Sequence, residues 1–179
     1  LWSTMPDDEL MGLAERGELR RELTAQVNRM IKDPKSTQGL VRNFTGQWLQ
    51  ARDVETVEIN AKAVLGLSNA RGNVNTNNDF NAAIRKAMRS ETEMYFEHVL
   101  REDCSVLDFI DSDYAFLNAR LATQYGVPDV TGDQIHLVKL PPNSPRGGVL
   151  TQGTILAVTS NPTRTSPVKR GVFLLENIL

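Results

Sequence analysis

The segment from about Asp79 to Glu102 limits the fold more than any other, because its apolar residues recur at helical rather than strand spacing along its whole length. Phe80, Ile84, Ala87, Met88, Met94, Tyr95, Val99 and Leu100 trace most of one stripe. A long helix with a single apolar face has to be covered by other elements, so the rest of the chain is expected to wrap around it. Glu91 interrupts the stripe. A carboxylate on a core face is buried against a cation, with Arg120 and Arg164 as candidate mates, or lines a cavity, or else stays at a plain rim position.

Upstream, a helix is expected to open at Ser3 or Thr4, with Pro6 in its first turn and Asp7, Asp8 and Glu9 complementing its positive end. Gly17 closes it. A second helix, Leu19 to Lys32, repeats Leu23, Val27, Met30 and Ile31 at helical intervals until Asp33 and Pro34 stop it. A third starts near Ser36 and carries Leu40, Val41, Phe44, Trp48 and Leu49 on one face. Gly39 and Gly46 inside it each cost about 1 kcal/mol of helix propensity relative to alanine, so close packing against another helix is expected at both. From Asn60 to Asp79 the composition turns to glycine and asparagine, which reads as a loop.

Downstream, Ser105 with Asp108 has the form of a helix cap, and two short helices are expected before Gly126 ends the second. Prolines and glycines then thicken around Ile135 to Leu140, I-H-L-V-K-L, which alternates as a short strand. A last pair of helices is expected at about Val149 to Val158 and Pro167 to Leu179. The fold class is therefore mainly α: a multi-helix bundle in two layers, with a small β strand or hairpin near residues 135–140.

Little in the chain carries chemistry. The net charge of −2 removes the electrostatic reason for nucleic-acid binding, and no apolar run is long enough to span a membrane. Cys104 is the only cysteine, which excludes an internal disulfide and a thiolate metal cluster. The two histidines, His98 and His136, lack partners at ligand spacing, and His98 reads as an ordinary helix-surface residue. Asp108, Asp111 and Asp113 do not have the spacing of a calcium loop and read as capping carboxylates. No nucleophile elbow is present, and no paired-carboxylate spacing supports a hydrolase built on Glu91.

The stretch Asn161 to Gly171, N-P-T-R-T-S-P-V-K-R-G, is the most distinctive composition in the chain. Ser166 can cap a helix that begins at Pro167, whose apolar residues are Val168, Leu174, Leu175, Ile178 and Leu179. Lys169 and Arg170 then lie at the positive end of that helix, where they do not help its dipole. Arg164, Thr165, Ser166, Lys169 and Arg170 are accordingly candidates to dock an anion or a cofactor: a carboxylate, a phosphate or a propionate. The competing reading pairs Arg164 with a nearby acid and leaves the other cations solvated.

Three blocks carry a resemblance: Asn43 to Val54, N-F-T-G-Q-W-L-Q-A-R-D-V; Ser105 to Leu121, S-V-L-D-F-I-D-S-D-Y-A-F-L-N-A-R-L; and Gly148 to Gly171. Together they resemble the paired domains of unknown function, the 1592 and 1588 families, of planctomycete-type secreted proteins that carry cytochrome c-like modules. The resemblance covers nearly the whole chain and implies two domains: 1–125, helical and cut at its N-terminus, and 126–179, the start of a second helical domain cut at its C-terminus. It implies an electron-transfer setting, periplasmic or secreted, and supplies no catalytic residue. No cofactor is expected within this chain. A covalent haem c is expected in a downstream segment of the same protein, since C-x-x-C-H does not occur here. That segment is the expected partner, with other protein chains as further candidates. Two functions follow from the resemblance, a helical scaffold positioning a haem module or an assembly module contacting neighbouring chains.

Overall fold

A computed structural model describes residues 1–60 and 80–179. The loop expected from Asn60 to Asp79 lies, apart from Asn60, outside the described residues. The mainly helical architecture is as expected, organised around one helix.

The first helix, α1, spans Asp8–Glu15 and α2 spans Leu23–Lys32. Asp7, rather than Ser3 or Thr4, caps α1 by accepting from the Leu10 N–H. The residues before it are used differently: Trp2 is buried, and its indole donates to the Met30 carbonyl at the end of α2. Arg29 then ties α2 back to the α1 cap through both oxygens of Asp7. Such a forked contact is the geometry for which arginine is suited.

A π-helical turn, Thr37–Arg42, leads into α3, Asn43–Trp48. Gly39 lies in that turn, where a Cβ would overlap the backbone of Trp2. Gly46 faces the Arg52 guanidinium, which donates to its carbonyl at 3.1 Å. The close approaches expected of both glycines therefore exist, but against an extended N-terminal segment and a side chain rather than a second helix. Gly39→Ala is expected to lift Leu1 and Trp2 off the turn and to cost about 2–3 kcal/mol, roughly the worth of one large buried side chain. Red-shifted tryptophan emission with a lowered unfolding midpoint would show it; unchanged emission would contradict it.

The central helix, α4, spans Ala82–Arg101, with Asn81 accepting from the Ile84 N–H as its cap. Ile84, Ala87, Met88, Glu91, Thr92, Tyr95, Phe96 and Val99 are all buried on it. Two apolar clusters share α4. One joins Ile84 and Met88 to Val54, Leu117, Leu121 and Ala157; the other joins Tyr95 and Val99 to Leu49, Val149, Ile155 and Phe173. Each cluster draws residues from both sides of position 125, so 126–179 completes the core begun by 1–125.

After α4, Ser105 caps a short 3-10 turn, Val106–Phe109, as its spacing predicts. The second helix expected in this run starts later than the sequence suggests. Tyr114–Leu117 is a strand, β1, and only Ala119–Tyr125 is helical, α5, closed by Gly126 in the left-handed conformation at φ 70°. Y-A-F-L suits a strand better than a helix turn because its aromatic residues pack on a pleated surface. Its partner β2, His136–Lys139, lies antiparallel, pairing Tyr114 with Lys139 and Leu117 with His136. Because α5 lies between the two strands in sequence, they pair across a helix instead of a tight hairpin. The chain ends with α6, Gly153–Val158, and α7, Pro167–Asn177.

Two arginines of α4 hold main-chain carbonyls of other segments, and one of them closes a helix end. Arg101 donates to the carbonyls of Lys32 and Asp33 at the end of α2, and Arg85 to those of Val54 and Val57. The last carbonyls of a helix have no partner inside it, and a cation there also matches the negative end of its dipole.

Candidate functional site

Glu91 is not at a rim. It is 1% exposed, and neither Arg120 nor Arg164 is its mate. Its Oε2 accepts from the Tyr125 hydroxyl at 2.6 Å, and that hydroxyl in turn accepts from the Gly153 N–H at 2.7 Å. The buried carboxyl thus joins α4, the end of α5 and the start of α6 through one phenol. The cation that acts on it is Arg146, whose guanidinium lies 3.9 Å from the centre of the Tyr125 ring and donates to the Thr151 carbonyl. Glu91, Tyr125, Tyr95 and Tyr114 all line a small cavity of about 10 Å³.

The electrostatics follow from the burial. Removal from water pushes the Glu91 carboxyl up to about 8, opposed by the Tyr125 hydrogen bond and the Arg146 charge. Tyr125 is driven well above the ordinary phenol range by its own burial and by Glu91. At neutral pH the pair is held mostly as neutral acid and neutral phenol, with the carboxyl buried and the tyrosine partly so. Neighbouring polar groups are also paired: Thr92 donates to Gln152 at 2.8 Å and Thr154 to the Met88 carbonyl at 2.8 Å. These bonds fasten residues 152–154 along the polar edge of α4.

Tyr125, Arg146 and Gly153 escaped the sequence reading because nothing local marks them. Tyr125 precedes the glycine that ends α5, and Arg146 opens the R-G-G run before α6. Only Glu91 carried a signal, a charge on an apolar stripe.

The structure distributes the anion-docking candidates unevenly. Ser166 caps α7 by accepting from the Lys169 N–H. Arg170 turns inward to Thr159, Thr165 and the Leu156 carbonyl, and the Lys169 ammonium lies 3.5 Å from the Ser160 carbonyl. The two cations at the positive end of α7 therefore face the negative end of α6, which accounts for their position in the sequence. Arg164 and Thr165 are exposed.

Other candidates resolve locally. Asp108 accepts from the Tyr114 hydroxyl at 2.9 Å, and its carbonyl accepts from Tyr95. Asp113 pairs with Lys139 at 3.5 Å. His98 is half-buried with its ring against Tyr114 and Phe116. Among the described residues no group of three or more His, Cys, Asp or Glu side chains converges as a metal site, and no helix is long and apolar enough to cross a membrane. A single cysteine cannot make the two thioether bonds of an attached haem c, so these residues do not fit that group.

Fold and site together define a mainly helical domain whose terminal segment is fastened to its central helix by a buried carboxyl–phenol joint. Comparison with known families places it. The model of PSD4, a protein of unknown function (DUF1592), matches residues 1–127, and the chain belongs to that family. Residues 146–179 match the model of PSCyt3, a protein of unknown function (DUF1588). The carboxyl–phenol joint therefore connects the two matched segments: Glu91 and Tyr125 lie in the first, Arg146 and Gly153 in the second. No curated protein and no solved structure matches the chain.

Proposed function

We propose that the chain is the haem-free helical scaffold of a periplasmic or secreted cytochrome c-associated redox protein, and that it positions a downstream haem-bearing segment of the same polypeptide. The observation that carries this reading is the outer face of α7. Val168, Val172 and Leu175 are 77%, 45% and 69% exposed. Their four-three spacing is that of a helix-pairing seam. The inner face of the same helix is already committed to the core through Phe173. A helix apolar on both faces is suited to lie between two layers.

The test uses the longer natural polypeptide produced in a periplasm that attaches haem c. Covalent haem is expected, together with protection of the haem-bearing segment from protease. Changing Leu175→Asp with Leu179→Asp is expected to abolish that protection while the core of the present chain stays folded. Arg164→Ala is expected to lower redox turnover. Absence of covalent haem would end the scaffold reading. The same seam supports a second one, an assembly module in which a helix of a neighbouring chain covers α7. In that case the double variant dissociates a complex, read by sedimentation, with no haem involved.

A further inference from the structure

Beside α4 runs an open groove of about 660 Å³, lined by no residue of α7 and independent of the reading above. Its size is that of a small-molecule site. Ala87, Met94 and Ile135 give it apolar surface, and Ala87 and Ile135 both belong to or pack on the core cluster beneath. The floor is thus backed by packed structure.

The rim is polar, and its donors are unspent. Lys86 on α4 and Arg120 on α5 line the groove and make no hydrogen bond or ion pair among the described residues. The contrast with the other cations of α4 is sharp. Arg85 holds backbone carbonyls, Arg89 pairs with Glu55 and Glu93, and Arg101 pairs with Glu97 while closing α2. Ser90 and Gln134 add a hydroxyl and an amide that have no side-chain partner there. Asp133 is the one carboxylate lining the groove, so two cations outweigh one anion. Its loop is fixed by Asn118, which donates to the Asp133 carbonyl at 3.0 Å while capping α5, and that loop supplies Gln134 and Ile135 in a defined position.

From this juxtaposition of a packed apolar floor with Lys86 and Arg120, both unpaired among the described residues, we propose that the groove binds a small amphiphilic acid, its carboxylate held by the two cations and its hydrocarbon body against Met94 and Ile135. Charge complementarity selects the head group, because a carboxylate can engage a guanidinium by two parallel hydrogen bonds. The apolar floor selects the body.

Dodecanoate at submicellar concentration is the probe, followed by displacement of the fluorescent anion 8-anilinonaphthalene-1-sulfonate from the purified chain. Saturable displacement is expected, weaker by at least tenfold for dodecanol, and weakened at least tenfold by Lys86→Met with Arg120→Met. Neither side chain supports the fold, so the double variant should keep its circular dichroism and melting point. A control pair outside the groove's lining, Leu175→Asp with Leu179→Asp, should leave dodecanoate affinity unchanged, which separates groove binding from adsorption to the exposed side of α7. Amide shifts of Ser90, Gln134 and Ile135 on adding dodecanoate would locate the ligand. Equal competition by dodecanol, unaltered affinity in the double variant, or amide shifts confined to α7 would each overturn the proposal.

Discussion

Glu91→Gln is expected to make the protein more stable than the wild type at pH 8.5, and to remove a loss of stability that the wild type shows as the pH rises. In the unfolded chain the carboxyl titrates near its ordinary value of 4.5, whereas burial holds it at about 8 in the fold. Below pH 4.5 both states keep the proton and burial of the charge costs nothing. Between the two values the unfolded state ionises while the folded state stays protonated, so stability falls by about 1.4 kcal/mol per pH unit. Above about 8 both are ionised and the loss is complete, on the order of 4–5 kcal/mol. Glutamine can still accept from the Tyr125 hydroxyl and cannot ionise. Urea unfolding midpoints of the two proteins should converge near pH 4.5 and part progressively above it. Parallel pH curves would mean that Glu91 reaches solvent or a closer cation. Glu91→Leu should be worse than glutamine, because the Tyr125 hydroxyl would then be left donating to nothing in a buried place.

Gly148→Ala is expected to destabilise by at least about 3 kcal/mol, near the upper end for a single backbone substitution. Gly148 has φ 62° and ψ 178°, a region essentially closed to residues with a Cβ. The added carbon would also overlap the Ile110 carbonyl and lie 2.7 Å from that of Phe109. Gly132 provides the comparison, since it too has a positive φ, 87°, but nothing stands within 4 Å of the site of its Cβ. Gly132→Ala should cost only the conformational strain, about 1 kcal/mol. Similar unfolding midpoints for the two variants would remove the steric part of the argument. The larger effect has a structural consequence. Gly147 and Gly148 bring the chain against Ile110 and Ser112, and from there Arg146 and residues 151–153 are delivered to Tyr125 and Glu91. A shift at Gly148 would therefore also loosen the joint between the two family-matched segments.

Much of the helical frame was legible in the sequence because it depends on local rules. The apolar period of α4, the serine caps at Ser105 and Ser166, and the glycine stop at Gly126 are decided within a few residues of themselves. Errors fell where two distant segments meet. The pattern at Ser3 and Thr4 puts the start of α1 too early, because Trp2 is held by the end of α2, which nothing nearby in sequence reveals. The run that forms β1 has the pattern of a helix in the sequence, because its four residues gain their strand preference from pairing with β2, beyond α5.

The site divides in the same way. An acid on an apolar stripe could be seen at Glu91, but its partner could not, since the choice among Tyr125, Arg120, Arg146 and Arg164 depends on how α4, α5 and α6 cross. The charges at the start of α7 show the converse. From the sequence Lys169 and Arg170 oppose the dipole of their own helix, while in the fold they meet the end of α6. Periodicity, capping and composition are short-range properties, so the chain alone determined where most of the helices lie and which face of α4 is buried. Burial, and with it the raised Glu91 carboxyl, the unpaired cations of the α4 groove and the exposed seam of α7, arises from contacts between segments far apart in sequence. Those contacts exist only once the helices are assembled.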